Sequence, residues 1–232
     1  MYMLVDSESE SLLWQKGPFW FPGLVRLRTI ADGSCFFHAI ANAFYQPYRV
    51  GMIQDQVFDR IDFIRRLRAD FATKLASPNI GDKKDGFNRT GCRGKIQHGH
   101  SPIKTYYETI SRGQLPILAK DHARYQLANM QKELNSFLPV DNLYNEFISN
   151  ILNKDIYLLD LRTHDVYVTG SDMDILYKGR PSIVILTMPG HYELVGLDQG
   201  NGIRTLFDPK SDLIQAIRNR MKYKIETGSK TQ

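Results

Sequence analysis

The sequence predicts an α+β fold. Apolar residues recur at three- and four-residue spacing through the first two thirds of the chain, then give way to short strand-type runs from residue 155 onward. Turn signals separate those runs closely enough for hairpins. With 232 residues, 42% hydrophobic and 24% charged, the chain suits one globular domain better than two and can bury a real core.

Residues 20–30 (WFPGLVRLRTI) end in partial alternation, with Val25 and Leu27 apolar and Arg26 and Arg28 on the opposite face, which predicts a short strand or extended lead-in. Asp32-Gly33-Ser34 is turn chemistry, because Asp and Ser bond local amides and Gly tolerates positive φ. A helix follows, carrying Phe36, Phe37, Ile40, Ala41 and Phe44 at helical spacing, and Pro47 is expected to stop it. Residues 54–76 predict a long helix with Val57, Ile61, Ile64, Leu67, Phe71 and Leu75 on one face. Residues 77–103 are polar, hold five glycines and two prolines, and predict a long loop. Helices are expected over 119–138 and 142–152, the second with Asp141 as N-cap. Strands are expected at 155–161, 165–168, 182–187 and 191–197, and Met188-Pro189-Gly190 makes a tight turn that sets His191 at the head of the last. Residues 212–224 read as a helix and the closing GSKTQ as a frayed tail.

A formal charge of +5 invites a nucleic-acid reading. The basic residues are dispersed, at Arg65, Arg66 and Arg68, at Lys83 and Lys84, and over 218–224, with acidic residues near most of them. Solvated faces explain this pattern, so nucleic acid is not the expected partner. The acidic start MYMLVDSESESLLW lacks the features of a signal peptide and no apolar run is long enough to span a bilayer. An intracellular protein with no membrane partner is therefore expected. Two cysteines, Cys35 and Cys92, cannot build a disulfide framework, and a reducing compartment leaves both as thiols.

Cys35 stands straight after the turn, at the first position of the apolar helix. Unpaired amides and the helix dipole favour a thiolate there, and the same amides with those of Asp32-Gly33-Ser34 can hold an oxyanion. A small buried apolar residue is the alternative reading. Of six histidines, His38 lies one turn deeper on the same helix and is expected to cap or pack, while His98, His100, His122 and His164 fall in polar or irregular stretches. His191 differs because a turn presents it at a strand head, two residues before Glu193 and so on the same face, with Tyr192 entering the other layer. A carboxylate beside an imidazole can fix its tautomer. Glu193 also reads as a solvent-facing strand residue.

Asp32-Gly33-Ser34-Cys35 opening an aromatic-rich helix, followed much later by His191-Tyr192-Glu193 at a strand head, resembles the OTU (ovarian tumour) family of cysteine deubiquitinases. Residues 142–161 (NLYNEFISNILNKDIYLLDL) also look like its helix and strand before the histidine, and members from large DNA viruses share the look. The resemblance implies a papain-like fold with a small central, mostly antiparallel sheet between helices. It implies an N-terminal extension at 1–19, a catalytic domain at 20–205 with an insertion at 77–103 that docks ubiquitin, and a C-terminal helix and tail at 206–232. The implied activity is hydrolysis of the isopeptide bond after the last glycine of ubiquitin, without a cofactor. Cys35 is then the nucleophile and His191 the base and later acid; Asp32 is the motif aspartate, with Gly33 and Ser34 in the oxyanion loop; Gly190 and Tyr192 line the slot for the substrate's glycines. Where many members carry Asp or Asn, this chain has Glu193, so the third role falls to Glu193, to Asp32, to another polar group or to water. Asp172, Asp174 and Glu193 are candidates for acidic cleft walls. The partners implied are ubiquitin or polyubiquitin chains, engaged by a monomer in the cytoplasm, the host's if the source is viral.

Three alternatives stand beside this. A non-catalytic ubiquitin-binding module of the same fold would bind without cutting, and a protease of this type could act on a ubiquitin-like modifier instead. Cys92, His98 and His100 could be three zinc ligands, although their spacing fits no familiar pattern and a solvated loop is the simpler reading.

Overall fold

A computed structural model describes residues 9–12, 14, 17–79, 103–140, 143–168 and 173–228. Its strands are β1 (Ser9–Ser11), β2 (Leu24–Leu27), β3 (Met52–Ile53), β4 (Gln56–Val57), β5 (Asp155–Asp160), β6 (Asp165–Val166), β7 (Ser182–Met188), β8 (His191–Asp198) and β9 (Ile203–Arg204). Its α-helices are α1 (Cys35–Phe44), α2 (Gln46–Val50), α3 (Arg60–Leu75), α4 (Tyr106–Thr109), α5 (Leu115–Leu118), α6 (Leu127–Asn135), α7 (Tyr144–Leu152), α8 (Met173–Leu176) and α9 (Asp212–Glu226). The architecture is α+β, as predicted.

Six strands form the main sheet in the order β1-β2-β8-β7-β5-β6, and β9 pairs with the far end of β8. Only β5 and β7 run parallel; the other pairs are antiparallel. Helices cover both faces, which is why the central strand β7 reads as an unbroken apolar run. Its Ile183 and Ile185 join Val25, Leu27, Ile156, Leu158 and Leu194 against α1, α3, α6 and α7. Its Val184 and Leu186 join Tyr157, Leu159 and Val195 on the opposite face, under Leu213, Ile214, Ile217 and Met221 of α9. The hairpin from β7 to β8 turns on Pro189 and Gly190, with Gly190 at φ +72° and Met188 opposite His191.

Several boundaries differ from expectation. At the N-terminal end β1 pairs with β2, and Leu12, Trp14 and Phe19 are buried in the second core. The C-terminal helix belongs to the same core. The long helix begins only at Arg60, capped by the Asp59 side chain on the Asp62 amide, and the residues before it form the β3–β4 hairpin. Pro47 does not simply end a helix, since it lies in the first turn of α2. The helix expected over 119–138 is the shorter α6, preceded by α4, α5 and two 3-10 turns. Most of the 77–103 loop, with Cys92, His98 and His100, lies outside the described residues, as do Asp141, Asp172 and the final four residues.

Candidate active site

α1 starts at Cys35 because the preceding turn is locked at each of its three residues. Ser34 N–H donates to Asp32 Oδ1 (2.8 Å), an Asx-type turn. Gly33 sits at φ +81°, and a Cβ there would lie 1.8 Å from the Phe137 carbonyl oxygen, so no other residue fits. The second Asp32 oxygen meets His38 Nε2 at 3.0 Å, and His38 Nδ1 meets the Tyr48 hydroxyl at 2.5 Å. His38 is wholly buried. Burial pushes its pKa down, against the pull of Asp32. Burial would raise the Asp32 carboxyl, but its bonds from His38 and the Ser34 amide outweigh that and hold it below the usual carboxylate value.

Cys35 is a free thiol, 3% exposed. Burial pushes it up, which the amides of Tyr192, Phe36 and Cys35 itself only partly offset and the Asp32 charge reinforces. The sequence-based expectation of a favoured thiolate is therefore not met at rest: the helix amides are in place, but desolvation is the larger effect. The Tyr192 contact matters for placement. The residue that follows His191 adjoins the start of α1, where its ring packs edge-on to Phe36 at 5.4 Å.

His191 is held at Nε2. Thr29 Oγ1 lies 3.4 Å from that atom and donates its own proton to the Tyr192 carbonyl at 2.5 Å, so it can only accept from the ring. Glu193 Oε1 lies 3.8 Å from the same nitrogen. Both neighbours favour the tautomer protonated at Nε2, leaving the Nδ1 lone pair available. Glu193 is 5% exposed, not solvent-facing, and its Oε2 sits 3.7 Å from Arg26 Nη1 without a hydrogen-bond partner among the described residues. With both Asp32 oxygens taken elsewhere, Glu193 is the carboxylate that faces the imidazole. Among the described residues no hydrogen bond joins Cys35 to the His191 ring. Gly190 caps the adjoining turn with open space around it, while Asp174 lies in α8.

No protein-family model and no curated protein matches the chain. Among solved structures, an ovarian tumour (OTU) domain in complex with ubiquitin aligns at 16% identity over 90% of this chain and 90% of that one, TM-score 0.48. The viral OTU domain protease from Farallon virus aligns at 14% identity over 79% of this chain and 97% of its own, TM-score 0.36. A third is the Hazara virus OTU bound to ubiquitin, at 14% identity over 84% and 92%, TM-score 0.33. This chain is similar to OTU domains. The similarity is one of fold; the site stands on its own geometry.

Sequence reasoning missed three residues here. Arg26 lies within β2 and Thr29 two residues beyond it, with no motif around them. Arg68 was grouped with Arg65 and Arg66 as a solvated run, yet Arg65 and Arg66 pair with Asp62 at the surface, whereas Arg68 is 1% exposed and bonds Ser34 Oγ at 2.7 Å. The signal was its spacing, four after Ile64 and three before Phe71, on the apolar face. A groove of about 600 Å³ between the β3–β4 hairpin and α3, lined by Tyr45, Phe58 and Phe63 among others, contains none of the site residues.

Proposed function

We propose that the protein is an OTU-type cysteine protease that hydrolyses the bond after the C-terminal glycine of ubiquitin. The observation that carries this is the meeting of the α1 N-terminus with the head of β8, where Phe36 packs on Tyr192 and the next residue back is a histidine engaged, among the described residues, through Nε2. Binding of the substrate tail brings thiol and imidazole together, as catalytic hydrogen bonds commonly tighten only in the complex. The Cys35 proton passes to His191 Nδ1 and the sulfur attacks the glycine carbonyl carbon. The carbonyl π electrons move to oxygen, and that oxyanion is held by the amides of the 32–35 segment. The imidazolium then protonates the departing lysine amine as the C–N bond breaks. Water, deprotonated by His191, cleaves the thioester and restores the thiol. Thr29 and Glu193 keep the imidazole in register.

Ubiquitin carrying a C-terminal electrophile tests this. It is expected to form a covalent adduct with the wild-type protein and none with Cys35→Ala. Binding without an adduct would transfer the protein to the non-catalytic module reading, and an adduct only with a ubiquitin-like modifier would change the substrate.

A further inference from the structure

Arg68 is a cation in the core with no hydrogen-bonded carboxylate among the described residues. Its Nε donates to the Leu134 carbonyl at 2.9 Å, Nη2 to those of Glu133 and Leu138 at 3.0 and 2.9 Å, and Nη1 to Ser34 Oγ at 2.7 Å and the Gly33 carbonyl at 3.4 Å. The guanidinium lies over the Phe37 ring at 4.7 Å. Every one of its five N–H groups thus has an acceptor. Such a group is costly to bury, and an apolar side chain would fill the same space.

What Arg68 joins is specific. Three bonds grip the segment 133–138 and two grip the turn before Cys35, at the place where Gly33 lies directly on the Phe137 carbonyl. Neither Lys nor Gln offers five donors in a planar fork.

We propose that Arg68 is a positioning residue for the hydrolase activity inferred above: it clamps the 32–34 turn onto the 133–138 segment, so that the amides around Cys35 stand preorganised for the oxyanion. The inference rests on that reading for its kinetic consequence, though not for the clamp itself.

The test compares wild type, Arg68→Lys and Ser34→Ala by turnover of ubiquitin bearing a C-terminal fluorogenic amide, by iodoacetamide alkylation of Cys35 at high pH, and by amide exchange at residues 33–35. For folded Arg68→Lys, kcat is expected to fall roughly 10²-fold, the scale of a lost oxyanion donor, with KM within about twofold. Alkylation needs no oxyanion site and is expected to stay within about threefold, while exchange at 33–35 accelerates. A folded Arg68→Lys with wild-type kcat, or one whose alkylation falls as far as its kcat, overturns the proposal. Should Arg68→Lys not fold, Ser34→Ala, which removes a single acceptor, carries the test with the same split at about fivefold in kcat; an unchanged kcat overturns it. If the wild type cleaves nothing, the hydrolase reading fails, and unchanged exchange at 33–35 in the variants would then also remove the clamp.

Discussion

Burial works against Cys35 as a nucleophile, and the residues around it show how the site is held ready nonetheless. Asp32 is spent on the turn and on His38, so the imidazole of His191 is left to Thr29 and Glu193. Gly33→Ala is expected to lower stability by about 1–3 kcal/mol through backbone strain and the clash with Phe137, and to abolish activity; thermal unfolding and adduct formation check both. His38 gives a pH signature. Its folded pKa is depressed, so the unfolded chain binds the proton first, and the stability it contributes is whole above about pH 6.5 and lost as pH falls toward the folded value. His38→Gln is expected to flatten the fall in Tm between about pH 6.5 and 5, and a curve parallel to the wild type would contradict this. Asp32, also depressed, adds its own loss further into acid, below about pH 4. The motif residues were legible as a turn, a thiol and a strand-head histidine because each depends on local chemistry. The partners of Asp32, and the net rise in the Cys35 pKa, depend on burial and could not be read along the chain.

The elements that were legible are those whose period is strong. β5, β7 and β8 announce themselves by apolar runs and by the Pro189-Gly190 turn, and α9 by its helical spacing. The β3–β4 hairpin did not, because its turn residues Gln54 and Asp55 take positive φ (48° and 63°) without a glycine to mark it. The stretch between α4 and α5 escaped as well, since Ser111 and Arg112 take φ 54° and 58° where only Gly113 after them signals a turn. β1 was not legible because three residues of strand carry almost no periodic signal. Its contribution is large all the same, since Trp14 is 3% exposed and stacks on His164 at 5.3 Å. Trp14→Ala is expected to destabilise by about 3–5 kcal/mol in chemical denaturation, as other large-to-small core changes do. A loss under 1 kcal/mol would mean that Trp14 contributes little to the second core.

On the scale of the molecule, the sheet is a wall with one helical layer against each face, and the candidate site lies where the α1 layer reaches the end of β8. Residues far apart in sequence meet there because α1 packs across β8 and β7, with Phe36 on Tyr192 fixing the end of the contact. The formal charge of +5 has no counterpart in this geometry; it is carried by dispersed side chains such as Arg65 and Arg66. The central claim is that the thiol opening α1 and the imidazole heading β8 act as one chemical unit. Its most direct measurement is the rate at which ubiquitin carrying a C-terminal electrophile labels Cys35 against pH, in wild type and in His191→Ala. The wild type should react at least about tenfold faster near pH 6–7, where the bound tail brings the imidazole to the thiol to take its proton, and the two curves should converge at high pH. Superimposable curves across the whole range would mean that the two residues do not work together, and would contradict this account.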